Sequence, residues 1–178
     1  MTAAAVRDVP APRDAPARQP MTGADLLRWR TRRRYTGYLQ VVADLGMPLP
    51  SLAKVAAGKE AVPPDVERLC EMVELLDGVA AVDPDALPFA ADRALVVEAR
   101  ALLAAWRPDR PRSRRRPPRV PGQPLRRDRR SWQRRRVDRL CQLAGLVSRV
   151  AAGCRSAALA DASLRAAEMV AGWGGTHA

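Results

Sequence analysis

The sequence predicts an all-α fold, and three observations lead to that prediction. Apolar residues make up 47% of the 178-residue chain but aromatics only 4%, and alanine, leucine and valine dominate, a balance that favours helices over strands. Apolar residues recur at three- and four-residue intervals through most of the chain. The sixteen prolines gather at the start and around 108–124, so folded helical pieces should alternate with extended chain. The length suits one modest domain with tails, or two small helical units.

Residues 1–20 are rich in Ala, Pro, Arg and Asp without an apolar period and read as a disordered tail. A helical domain is expected over 21–106. Thr22-Gly23-Ala24-Asp25 has the spacing of a capping box, and Leu26, Leu27 and Trp29 follow, so a first helix runs to about Arg33. A second occupies Tyr38 to Leu45, with Val41, Val42 and Leu45 as its apolar side. Gly46 is placed to leave that helix in a left-handed conformation, which costs little without a Cβ. A third fits Pro50 to Ala57, because proline is tolerated in a first turn. Leu52 and Val55 face inward and Gly58 ends it.

Pro63-Pro64-Asp65 opens a fourth helix with Val66, Leu69, Cys70, Val73 and Leu76 on one stripe and Gly78 as its stop. Residues 79–89 contain Asp83-Pro84 and Leu87-Pro88 and read as a loop. A longer helix covers about 90–106. The Arg/Pro-rich linker 107–130 has almost nothing to bury and is expected to be disordered. The helical pattern returns in a C-terminal segment at 131–172. There Val137, Leu140, Ala144, Val147, Ala151, Cys154 and Ala158 form a seam for packing on another helix, in this chain or in a second copy. A homodimer through this segment is therefore an expectation. Asp161 interrupts the seam, and a last short helix runs from Ser163 to Val170.

Charge is the second theme. The net charge is +12, and residues 107–139 hold fifteen arginines and three aspartates, so the rest of the chain is neutral. Such a block attracts polyanions. Arg114-Arg115-Arg116, Arg126-Arg127, Arg129-Arg130 and Arg134-Arg135-Arg136 can neutralise phosphates, and Trp132 can stack on an unpaired base. A charged linker kept extended by its own repulsion is the plainer alternative.

Enzyme chemistry is not indicated. The one histidine, His177, is next to the C-terminus, and there is no Gly-rich phosphate loop. Cys70, Cys141 and Cys154 lack metal-ligand spacing and read as small hydrophobes on helix faces. Asp65, Glu67, Glu71 and Glu74 read as a solvated face. No cofactor or metal is expected. Without a secretory or membrane-length apolar run, the expected setting is cytoplasmic and reducing, with no membrane partner.

Four short helices with glycine-containing turns in under 60 residues suggest a compact DNA-binding domain. Gly23-Ala24-Asp25-Leu26 with Trp29-Arg30, Val41-Val42-Ala43-Asp44-Leu45-Gly46, Leu52, and the exit Gly58-Lys59-Glu60-Ala61-Val62-Pro63-Pro64 resemble the lambda-repressor/Cro-like helix-turn-helix family over about 22–77. The resemblance implies a small helix-turn-helix-containing bundle whose third helix reads the major groove. Departures from the family pattern are one extra residue between the first two helices and Tyr38 where the family carries a phosphate-gripping glutamine. In addition, Pro48-Leu49-Pro50 replaces small polar residues, and Val55-Ala56-Ala57 replaces an aromatic, acidic and basic run.

Base reading needs donors and acceptors. Pro48, Leu49 and Pro50 side chains supply neither, which leaves Ser51, Lys54 and Lys59 as polar contacts. With the basic edge Arg28, Arg30, Arg32, Arg33 and Arg34, the expected DNA contacts are Arg30, Arg33, Arg34, Tyr38, Ser51, Lys54 and Lys59. Arg114, Arg115, Arg116, Arg134, Arg135 and Arg136 join them. The expected function is a non-catalytic transcriptional regulator, with DNA ahead of RNA as partner. The alternative is a helical protein-interaction module whose Arg-rich tail binds RNA or an acidic partner. Attachment of the same arginines to an anionic membrane surface is a third.

Overall fold

The computed structural model describes residues 19–35, 37–106 and 129–174. Most of the expected tail (1–20) and most of the expected linker (107–130) lie outside the described residues. Among those described, all regular structure is helical: α1 (Gly23–Arg32), α2 (Tyr38–Leu45), α3 (Leu49–Ala56), α4 (Pro64–Ala81), α5 (Ala90–Trp106), α6 (Arg129–Ala151) and α7 (Ala160–Gly174). Short 3-10 turns stand at Pro84–Ala86 and Ala157–Leu159.

The start of α1 follows from its cap. Thr22 Oγ1 accepts a hydrogen bond from the Asp25 backbone at 3.2 Å, and the Asp25 carboxylate accepts from the Thr22 backbone at 2.9 Å. Hydrogen bonds from Thr22 and Arg28 hold the Asp25 carboxyl well below its ordinary range. Gly23 is required for packing, because a Cβ there would run into the Val55 carbonyl oxygen at the end of α3. Helix α2 ends at Gly46, whose φ of 58° and ψ of 34° are left-handed, as the residue type predicts. Helix α3 begins at Leu49, with Pro50 tolerated in its first turn.

Helix α4 is the spine. Val66, Leu69, Cys70, Val73 and Leu76 are buried as the stripe predicts, and so are Met72, Leu75 and Val79 on a second face. Two buried faces require two covering layers, α1–α3 on one side and α5–α7 on the other. The same demand corrects the predicted stop at Gly78. The helix runs on to Ala81 because Val79 belongs to the core, and that burial outweighs the roughly 1 kcal/mol cost of a helical glycine.

The C-terminal helices join this core instead of standing apart. Leu143, Leu146, Val147 and Val150 of α6 are fully buried in it, with Leu140, Ala144 and Ala151 packed at its edge. The seam therefore differs from the expected one at both ends: Val137 is 55% exposed, and the helix stops at Ala151, before Cys154 and Ala158. The break has a clear cause. Asp92, buried in the first turn of α5, accepts hydrogen bonds from the backbone N–H groups of Arg155 (3.1 Å) and Ser156 (2.7 Å) and from the Ser156 hydroxyl. Gly153 supplies the positive φ of 128° that this turn needs. Helix α7 consequently starts at Ala160 and reaches Gly174, longer than the expected Ser163–Val170.

Two glycines should respond in opposite directions to alanine. Gly23→Ala lowers stability by about 1–3 kcal/mol through the clash with Val55. Gly78→Ala, on an exposed helical site with open space around it, raises stability by about 0.5–1 kcal/mol. Denaturant melts of the two variants check the signs.

Asp92 gives a pH signature. Burial alone would raise its carboxyl, but the hydrogen bonds from Ser156 and Arg155 outweigh that and hold it below the ordinary 3.8. Its contribution is thus complete above the unfolded-state pKa of about 4 and fades as pH falls through the lowered folded-state value. Asp92→Ala should cost about 1–3 kcal/mol at neutral pH, and the gap to the parent chain should narrow in melts at decreasing acid pH.

Candidate nucleic-acid interface

The basic edge of α1 divides by partner. Arg28 pairs with Asp25, Arg32 with Glu74 and Arg33 with Asp77. The Arg33 side chain is only 15% exposed and its guanidinium is 5.9 Å from the Trp29 ring centre, so its charge fastens α1 to α4. Arg30 and Arg34 are placed differently. The Arg30 guanidinium stands 4.5 Å over the ring of Tyr38, which is 41% exposed. Arg34 is exposed at a left-handed φ of 55°, held by its backbone hydrogen bond to Thr31 at 2.9 Å. Arg30 and Tyr38 are thus brought together at the α1–α2 corner, and Arg34 lies in the turn between the two helices.

Helix α3 turns Leu52 and Val55 into the core. Its outer side presents Leu49 (41% exposed), Pro50, Ala53 and Lys54, with Ser51 half-buried. Lys54 Nζ lies 2.6 Å from Glu60 in the exit loop. Both groups are well exposed, and such pairs contribute little, so a phosphate can replace the carboxylate at small cost. Lys59 is exposed and has no acidic partner among the described residues. The surface of α3 is therefore mostly apolar and close to neutral.

The remaining predicted arginines lie on or before α6. Arg114, Arg115 and Arg116 fall outside the described residues, and for Arg135 only its place on the helix is described. Arg134 is exposed. Arg136 is 15% exposed and its Nε is 2.8 Å from Asp65 at the start of α4. Among the predicted contacts, then, Arg33 and Arg136 are held in internal pairs, and Arg30, Arg34, Tyr38, Lys59 and Arg134 remain at the surface.

Sequence reasoning missed one polar cluster. Asp44, at the end of α2, is buried beside Val41, Val42 and Leu45. The Tyr35 hydroxyl donates to its carboxylate, and Arg139 donates to its backbone oxygen and stands 3.8 Å from its carboxylate. Burial pushes the Asp44 carboxyl up, with Tyr35 and Arg139 acting the other way. The signal was present in the sequence, since an aspartate inside an apolar run must find partners if the run is buried.

Among the described residues no group of His, Cys, Asp or Glu could hold a metal ion. The three cysteines are free, and burial pushes the Cys70 thiol up, away from the reactive thiolate. No helix of the described residues is long and apolar enough to cross a membrane.

Double-mutant cycles should rank the two pairs that border α3. The exposed Lys54–Glu60 pair is expected to couple by less than about 0.5 kcal/mol, and the half-buried Arg136–Asp65 pair by about 1 kcal/mol or more, in denaturant melts. No family model matches this chain, and no curated protein or solved structure matches it.

Proposed function

We propose that the chain is a non-catalytic DNA-binding protein, a transcriptional regulator of the helix-turn-helix type, in which contacts to the phosphate backbone outweigh base reading. The observation that carries this reading is the corner at Gly46. Two eight-residue helices meet there through a left-handed glycine, and the second of them buries one side and exposes the other. That arrangement offers α3 to a groove. Arg30, Arg34, Tyr38, Lys59 and Arg134 are the phosphate contacts in this reading, and Ser51 and Lys54 supply the polar atoms for base edges. The arginines of 107–128, Arg114–Arg116 among them, add affinity that does not depend on sequence. A cytoplasmic setting accompanies this reading.

One observation favours a second reading. Leu49, Pro50 and Ala53 make an apolar outer side for α3, which suits a protein-interaction module whose Arg-rich segment binds RNA or an acidic partner. A homodimer in either reading uses the outer side of α6, where Val137 is exposed, because the inner side is filled by α4 and α7.

Gel-shift titrations of the full chain separate the readings. With about six phosphates contacted, affinity for a duplex falls on the order of a thousandfold between about 50 and 200 mM salt, with a small sequence preference. If the chain ignores duplex DNA in dilute buffer and retains an acidic protein or RNA, the DNA reading fails.

A further inference from the structure

Helices α5 and α6 turn one apolar side to the core, with Val96, Ala99 and Leu103 of α5 and Leu143, Leu146 and Val147 of α6 buried. Their outer sides should then be charged, as on most surface helices. They are not. On α5, Ala94, Val97, Ala101 and Ala105 are exposed at intervals of three and four residues, so they share one face, and Val97 is 55% exposed. On α6 the same intervals place Val137, Cys141, Gly145 and Ser148 on the outer side, all of them exposed. A shallow groove runs between the two helices. Ala101 and Leu102 line one wall of it, and Cys141, Gly145 and Leu146 line the other.

The charges on this face are few and balanced. The Arg100 guanidinium is engaged elsewhere, donating to the carbonyl oxygens of Ala80 (2.8 Å) and Val82 (3.0 Å) at the end of α4. That leaves Glu98, Asp138 and Arg149 as the exposed charged residues over 94–105 and 137–149. In a chain with a net charge of +12, a face without an arginine excess is not one that attracts a polyanion. Exposed apolar surface of this kind marks contact with another protein.

The nature of that protein follows from the charges. Glu98 of α5 and Arg149 of α6 pair across the groove, each about half exposed. An acid on one helix and a base beside it on the other make the face complementary to itself. A twofold axis running along the groove lays α5 of one copy on α6 of the next. Each Glu98 then stands opposite an Arg149 of the other copy, and Ala101 and Gly145 allow the helices to approach closely.

We propose that α5 and α6 together form a dimer interface, with a second copy of this chain as the occupant of the groove. This deepens the homodimer reading above, which names the outer side of α6 alone, and it holds whether the arginine segment meets DNA or another partner. The 17 residues of α5 rise about 25 Å, and two helices about 10 Å apart present a strip roughly 20 Å wide. That is roughly 500 Å² a side, below the ~800 Å² of a standard interface, so the dimer belongs in the micromolar range.

Sedimentation equilibrium of the full chain without nucleic acid, from about 1 to 300 µM, reads the dimer directly. Ala101→Arg puts a charged side chain into the groove from an exposed helical site and should weaken the dimer at least about tenfold. Glu98→Arg and Arg149→Glu should each weaken it as well. An equal mixture of those two variants should dimerise again, because each copy then offers the charge that the other lacks. Circular dichroism melts verify the fold of every variant. Alkylation of Cys141, read by peptide mass spectrometry, should slow as chain concentration rises through the dissociation constant. A monomer at every concentration overturns this inference, as does a dimer indifferent to Ala101→Arg. A mixture that stays monomeric, or a Cys141 alkylated at the same rate throughout, overturns it too. The DNA reading survives any of these results, because the salt titration of the gel shift tests it separately.

Discussion

Helix α4 has more apolar surface than a helix with one wet side can hide. Its eight buried residues lie on two faces, and each such side chain is worth about 1.5–3 kcal/mol of transfer free energy when removed from water. One covering layer comes from the residues before it. The other has to come from residues after it, which explains why α5 folds back along α4 and why α6 and α7 return to the same core. The charged segment between α5 and α6 closes a loop in doing so. Loop-closure entropy grows only with the logarithm of length, so a long connection is a small penalty against a shared core.

The second organising feature is the disposition of guanidinium groups. The chain carries an excess of twelve positive charges, yet several of its arginines are bound to its own acids. Arg33 and Arg136 are mostly buried in such pairs, and Arg139 is held by Asp44. Arginine suits these positions because its planar fork donates in several directions and is weakly hydrated for a cation. The exposed pairs, Lys54–Glu60 among them, are weak and exchangeable. Burial therefore separates arginines that hold helices together from cations left to meet a partner, a distinction that net charge does not reveal.

Most elements were legible in the sequence because they rest on local rules. The Thr22–Asp25 box, the left-handed Gly46, the proline in the first turn of α3 and the span of α5 all follow from short-range chemistry. The features that were not legible depend on residues far away in the chain. Gly78 has the look of a stop until Val79 is seen in the core, and Met72 and Leu75 look surplus until the second layer is present. The end of α6 is set by Asp92, roughly sixty residues upstream. The same holds for the candidate interface. Arg30, Arg33 and Arg34 look alike in sequence, and what distinguishes Arg33 is its place beside the Trp29 ring and Asp77, a residue of α4 far along the chain.

The bond between Asp92 and the turn at Arg155–Ser156 has a consequence for the chain as a covalent object. It joins the start of α5 to the α6–α7 connection, and together with the common core it makes the halves at 19–106 and 129–174 adhere without help from the peptide between them. A protease cut anywhere in 107–128 would leave two fragments that remain associated and migrate as one particle until denatured. The packing of the two halves on each other is accordingly set by their shared interior and by the Asp92 bonds.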